Sequence, residues 1–273
     1  ADHLKPNFVS IPVPMFIDTH CHLTFPELRE RWDDIRAAMR AAQVERAIVI
    51  CTTIEEFDTV HALAAQHDFL WCTVGVHPDN EDVHEPDVAE LVRLGRRDRV
   101  VAVGECGLDY YRLGERTVAD MEWQRERLRT HVRAARELDR PLVIHTRSAA
   151  EDTLRILREE NAAEVGGVFH CFTETLEVAR AALDLNFSIS FSGILTFKNA
   201  AYLRDIAAMV PLERCLIETD SPYLAPAPHR GKLNTPALVP FVARQLAEIK
   251  GLELETVARA TWDNASRMFA LPD

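Results

Sequence analysis

The feature that most constrains this chain is a rhythm: short apolar, β-branched runs alternate with longer stretches of helical period. The strand-like runs fall at residues 15–19, 47–51, 70–76, 100–103, 142–144, 167–169, 187–191 and 215–217. Strands covered on both faces read as unbroken apolar runs, and AIVIC at 47–51 and VVAV at 100–103 are of that kind. Leu28, Trp32, Ile35, Met39 and Ala42 recur at steps of four and three, which lays an apolar stripe along one helix face. Leu128, Val132, Ala135 and Leu138 share a side of a second helix over 122–138, and Leu154 and Leu157 point inward from a third over 151–160. Eight such units predict an α/β fold of one domain, a closed (β/α)8 TIM barrel. The rival, an open doubly wound sheet, usually carries GxGxxG after its first strand, and none stands here.

The length of 273 residues suits one barrel of ~250 residues with short additions. Residues 1–14 hold three prolines and no apolar signal-peptide core, and read as an extended lead-in to a barrel spanning 15–273. The tail from Thr235 carries two more helical patterns, Leu238, Phe241, Val242 and Leu246, then Leu254, Val257, Met268 and Phe269. Both are expected to pack on the barrel. No apolar run approaches the ~18 residues of a membrane span. Six cysteines without a CxxC spacing fit reduced thiols and a cytoplasmic protein. A net charge of −12 argues against a passive coat on nucleic acid.

Polar residues cluster where the apolar runs stop. The first runs into Asp18-Thr19-His20-Cys21-His22, the third into His77-Pro78, and the fourth into Gly104-Glu105-Cys106-Gly107-Leu108-Asp109. The fifth ends at His145-Thr146-Arg147, the sixth at His170-Cys171, and the eighth at Glu218-Thr219-Asp220. In a barrel these carboxyl ends form one rim, so the residues converge. His20 and His22, two apart on extended backbone, point to one side. With Glu105, His145, His170 and Asp220 they make six N/O donors, enough for two divalent ions that activate water. Each also has a plainer reading: a rim histidine, a buried carboxylate bracing Gly107, an Asp capping a turn. Six together on five strands favour the metals. His77 either meets substrate or shapes its loop. Arg147 either binds an anionic group or makes a salt bridge under the rim. Lys198, Arg230, Lys232 and Asn234 lie in loops that reach toward the rim or stay on the surface. Cys21, Cys106 and Cys171 should point away from the donors as small packing residues.

FIDTHCHL (16–23), GVHP (75–78), VGECGLDYY (103–111), PLVIHTR (141–147), GGVFHCFTET (166–175), FSISFSGILTFKNA (187–200) and IETDSPYLAPAPHRGKLNTP (217–236) together resemble the TatD-type family of metal-dependent hydrolases, which includes deoxyribonucleases. The likeness runs from about Met15 to the end. It departs at Glu174, where a small residue is usual, and so points to a bacterial sub-branch of less defined activity. The resemblance implies a barrel of the metal-dependent hydrolase type. It implies that His20, His22, Glu105 and Asp220 hold one metal and that Glu105, His145 and His170 hold the other, Glu105 bridging. It also implies DNA as substrate and a 3′–5′ exonuclease.

The expectation is therefore a monomeric, cytoplasmic deoxyribonuclease using two divalent ions (Mg, Mn or Zn), with Asp220 and Glu105 catalytic and His77 and Arg147 meeting substrate. Imidazoles favour Zn²⁺ or Mn²⁺ over Mg²⁺, whereas the family's nuclease activity is associated with Mg²⁺. The alternative is a hydrolase of a small-molecule ester, amide or phosphoester on the same barrel. A deaminase lacks its extra acid/base Glu after His145, and a bare binding protein would be expected to have lost a donor.

Overall fold

The computed structural model describes residues 13–273, so the expected lead-in lies outside the described residues up to residue 12. Eight parallel strands form one sheet in sequence order. They are β1 (Phe16–Cys21), β2 (Val44–Val49), β3 (Leu70–Val74), β4 (Val100–Asp109), β5 (Leu142–Arg147), β6 (Gly167–Phe169), β7 (Phe187–Phe191) and β8 (Cys215–Ile217). The helices are α1 (Pro26–Arg29), α2 (Trp32–Ala41), α3 (Ile54–Ala65), α4 (Val88–Gly95), α5 (Glu122–Leu138), α6 (Ala150–Glu159), α7 (Leu176–Asp184), α8 (Ala201–Met209), α9 (Val239–Lys250) and α10 (Leu254–Met268). This is the single-domain (β/α)8 barrel that the rhythm predicts. Among the described residues no helix is long and apolar enough to cross a membrane.

Several boundaries differ from the apolar runs: β1 reaches Cys21, β2 starts three residues before Ala47 and ends at Val49, and β3 ends at Val74. β4 does not stop at Val103, and β5 does not stop at Ile144. Their polar continuations keep pairing, Gly107 with His145 and Asp109 with Arg147. Glu105, His145 and Arg147 therefore lie within strands, not after them. Apolar runs report buried faces, whereas pairing needs only backbone. The first helical stripe splits into α1 and α2 at Glu30 and Arg31, where the backbone leaves the helix at Arg31.

Two apolar layers result. Phe16, Val49, Val103, Ile144, Phe169 and Ile217 face outward to the helices. Ile17, Ile48, Val101, Val143, Val168 and Leu216 fill the barrel interior, and Phe269 and Leu271 beyond α10 join them to plug it from below. The tail thus packs on the barrel as expected. The interior layer lies near the strand starts, so the next inward position on each strand belongs to the opposite, carboxyl end.

Closure between β1 and β8 relies on side chains as much as on backbone. Asp18 is fully buried. Its carboxylate accepts from the Thr219 amide at 3.0 Å, the Thr219 hydroxyl at 2.5 Å and the His20 amide at 3.1 Å. Thr19 Oγ1 donates to the Ile217 carbonyl at 2.9 Å. Backbone bonds Asp220 N to His20 O and His22 N to Ser221 O complete the seam.

A buried polar face of α5 does similar work on the other side. Gln124 bonds both the amide and the carbonyl of Asp109, and the carbonyl of Pro78. Arg127 Nη1 donates to the carbonyls of His77 and Asn80. His131 Nδ1 donates to the Arg127 carbonyl at 2.8 Å, so its Nε2 accepts from the Val76 amide at 3.0 Å. Burial pushes His131 down to about 4, and nearby Arg127 adds to this. A histidine held neutral in the folded state but free to protonate when unfolded, near 6.5, weakens the fold as pH falls through that window. Unfolding free energy should therefore drop on the order of 3 kcal/mol between pH 6.5 and 4 from this residue. Denaturant titrations across that range test this, since His131→Gln should flatten the slope by about one proton. An unchanged slope would refute the assignment.

Candidate metal centre

Two local irregularities aim the donors at the barrel axis. In β1, Ile17 faces inward, and strict alternation would send Cys21 inward too. Asp18 pairs with Ala47 but Cys21 with Val49, so one extra residue lies in β1 and the phase reverses. Cys21 joins the outer core, and His20 and His22 turn to the axis. In β4, Val103 pairs with Leu142 but Cys106 with Ile144, which is again one extra residue. Cys106 and Leu108 stay outward while Glu105 and Asp109 face in. Gly107 between them, at φ +147°, has no room for a Cβ, which would lie 1.8 Å from the His145 carbonyl. His145 and His170 need no irregularity, because each is two residues beyond an inward valine on its strand.

Glu105, 2% exposed, is the hub. Its Oε1 lies 3.1 Å from His20 Nε2 and 3.8 Å from His22 Nε2. Its Oε2 lies 2.8 Å from His170 Nε2, 3.1 Å from His77 Nε2 and 3.3 Å from His145 Nδ1. Asp220 Oδ1 is 3.2 Å from His22 Nε2 and 3.4 Å from His20 Nε2. All six sequence-derived donors thus converge, and His77 joins them. The two carboxylate oxygens of Glu105 face different sets of imidazoles.

Three carboxylates that sequence reasoning left without a role support this cluster. Glu218 Oε2 takes His170 Nδ1 at 3.1 Å, while its other oxygen accepts from the Cys171 amide at 2.8 Å. Asp109 Oδ2 holds His145 Nε2 at 2.8 Å. Each leaves the opposite ring nitrogen facing Glu105, an arrangement typical of metal-ligating histidines. Strand parity reveals both: Glu218 is two beyond inward Leu216, and Asp109 is four beyond Glu105. The third, Asp18, is the seam residue that bonds the His20 amide. His77 differs from the other histidines. The Asp79 amide donates to its Nδ1 at 3.0 Å, so the proton sits on Nε2, which faces Glu105 as a donor.

Among the described residues Arg147 makes no salt bridge under the rim; it is exposed, its guanidinium 3.5 Å above the Tyr111 ring. Arg230 covers Phe197 in the same way, and Lys198 and Lys232 are exposed. Asn234 does not reach toward substrate. It is buried and donates to the carbonyls of Thr219 and Tyr223, because the turn after Asp220 leaves those groups without strand partners. All six cysteines are free thiols.

Electrostatically the cluster behaves as a cation site filled by protons. Burial alone would push the Glu105 carboxyl up, but His170, His77 and His20 hold it well below the usual range. Burial opposes charge on His170 and His145 too, yet Glu105 with Glu218 raises the first well above normal, and Asp109 with Glu105 brings the second to about 9. Asp220 is lowered against burial by His22 and His20. His20 is the exception, pushed down by burial and by neighbouring His170. Among the described residues His20 Nδ1 and His22 Nδ1 have no hydrogen-bond partner, and His20 Nε2, though 3.1 Å from Glu105 Oε1, is not aligned for a hydrogen bond with it. Unpartnered buried nitrogens beside paired carboxylates fit divalent cations, whose binding displaces such protons. Groups close enough to share an ion include His20, His22 and Glu105; His77, Glu105 and His145; and His20, His170, Glu218 and Asp220. A cavity of about 540 Å³ opens above, lined among others by Phe25, His77, Arg112, Arg147, Asp220 and Tyr223.

The family model described as TatD related DNase matches residues 17–270. The uncharacterized metal-dependent hydrolase YcfH of Escherichia coli strain K12 is 47% identical over 257 residues, 93% of this chain and 95% of its own. The 3'-5' ssDNA/RNA exonuclease TatD of Pantoea ananatis is 32% identical over 261 residues, covering 93% and 99%. The crystal structure of YJJV, a TatD homolog from Escherichia coli K12, superposes with a TM-score of 0.85 at 29% identity, over 94% of this chain and 98% of that one. The fold, the buried donor cluster and these matches lead to one conclusion: the chain belongs to the TatD-related DNase family of metal-dependent hydrolases.

Proposed function

We propose that this protein is a deoxyribonuclease that hydrolyses phosphodiester bonds from the 3′ end of a strand, using two divalent cations held by the cluster. The observation that carries the reading is the division of Glu105, one oxygen toward His20 and His22 and the other toward His145 and His170. That division suits a bridging carboxylate, with Asp220 completing the first site. The substrate and polarity are supported by the family description and by the Pantoea relative.

Bound there, the cations would polarise a phosphoryl oxygen and acidify a water. The protein's own groups supply the rest. Asp220 is ionised and lines the cavity, and it accepts the water's proton as general base. His77, its proton on Nε2, would give a hydrogen bond to a phosphate oxygen once the Glu105 oxygen it now faces is taken up by a cation. Arg147, fixed above Tyr111, faces the cavity as a fork for a phosphate. Asp109 and Glu218 hold His145 and His170 in the tautomers that present a lone pair inward.

Elemental analysis should find up to two divalent ions per chain, and Glu105→Gln should lose most of both together with several degrees of thermal stability. Retention of both ions in that variant would exclude the bridging role. With Mg²⁺, Mn²⁺ or Zn²⁺ added separately, a single-stranded oligonucleotide should shorten from its 3′ end. Intact DNA under all three, with a p-nitrophenyl ester or small amide cut instead, would replace this reading by a small-molecule hydrolase. Asp220→Asn should keep much of the metal while kcat falls on the order of a hundredfold or more. Unchanged turnover would assign the base elsewhere.

A further inference from the structure

The side chains that this protein exposes on its active face are unusual for its surface. Among the described residues the exposed large aromatics are Tyr111, Tyr202 and Tyr223, at 58%, 49% and 53%. All three follow carboxyl ends of strands, Tyr111 after β4, Tyr202 at the start of α8 and Tyr223 after β8. Exposed tyrosines confined to one rim call for a ligand with flat faces.

Tyr223 is built into the metal centre. Its amide donates to the Asp220 carbonyl, closing a tight turn, and the buried Asn234 amide group holds that turn by the Thr219 and Tyr223 carbonyls. Phe25 is placed in the same manner three residues after His22, its amide bonded to the His22 carbonyl. The Phe25 ring stacks on His22 at 4.5 Å and meets Tyr223 edge to face at 6.3 Å. Two aromatics are thus tethered to two donors, His22 and Asp220, which themselves lie 3.2 Å apart. The cavity also receives Arg112 and Arg147, neither ion-paired among the described residues. Flat apolar rings beside the metal centre and unpaired guanidinium groups in the same cavity match the two parts of a nucleotide.

Resting on the nuclease reading above, we infer that Phe25 and Tyr223 form a stacking subsite for the unpaired terminal nucleobase, while Arg112 and Arg147 receive a phosphate of the same strand. A terminal base that leaves its neighbour to lie on this platform is freed most cheaply from a single strand or a frayed end, so the subsite favours those over an intact duplex. Shielding of His22 would account for Phe25 alone; it leaves the exposed Tyr223 ring without a role.

Binding tests this separately from cleavage. Two fluorescein-labelled trinucleotides with phosphorothioate linkages, one complete and one abasic at its 3′ end, are titrated by anisotropy against Mn²⁺-loaded protein. The complete ligand should bind on the order of tenfold tighter. Tyr223→Ala and Tyr223→Leu should bring the ratio close to one, and Tyr223→Phe should keep it, because stacking needs the ring and not the hydroxyl. Metal analysis of each variant shows that the centre is intact. A wild-type ratio near one, or equal weakening of both ligands in Tyr223→Ala and Tyr223→Leu, would overturn the subsite. A full ratio in a protein that cuts no DNA would leave the subsite standing and remove the nuclease reading.

Discussion

A single buried negative charge organises this protein. Glu105 sits where the barrel interior turns from apolar to polar, with almost no access to water. An isolated carboxylate there would cost several kcal/mol or would take up a proton. Its charge is kept by imidazoles from the ends of β1, β5 and β6 and from the loop after β3. Four segments far apart in sequence are thus committed to one point in space. The fold provides that convergence because every parallel strand ends on the same rim.

Imidazoles are versatile only until their tautomers are fixed, and much of the surrounding polar structure fixes them. Asp109 and Glu218 decide which nitrogen of His145 and His170 keeps its proton when the inner one gives its own up, and the Asp79 amide decides which nitrogen of His77 carries one. These groups are held in turn by Gln124, Arg127 and the backbone of Cys171. Such layered support is costly to build in a low dielectric and is useful when geometry must be kept within fractions of an ångström. His131 belongs to the same scheme at one remove: it anchors Val76, and Val76 leads directly into His77.

The barrel and the six donors were legible in the sequence because both leave strong patterns. AIVIC and VVAV mark strands buried on both faces, and polar letters at the ends of such strands mark a rim. The supporting carboxylates are less visible. Glu218 and Asp109 follow from parity only once the true strand ends are known, and β4 runs six residues past its last apolar valine. The extra residues in β1 and β4 leave no trace in composition, although they decide which way His20 and Glu105 face. The fate of Asn234 was also hidden. A polar residue in a loop reads as exposed, and only the unpartnered carbonyls of the turn after Asp220 explain why this one is buried.

The seam between β1 and β8 has a consequence for how the protein is made. Its bonds join Asp18 to Thr219 and Thr19 to Ile217, partners 201 and 198 residues apart. Growing from the ribosome, the chain displays His20 and His22 first and obtains Asp220 about 200 residues later. Until β8 arrives, the cylinder is an open, curled sheet with an unpaired edge along β1, the kind of edge that recruits other chains. Closing the ring and completing the donor set are therefore the same late event. A cation captured at that moment would act as a latch, drawing together the first and last strands of a nascent polypeptide before any substrate reaches it.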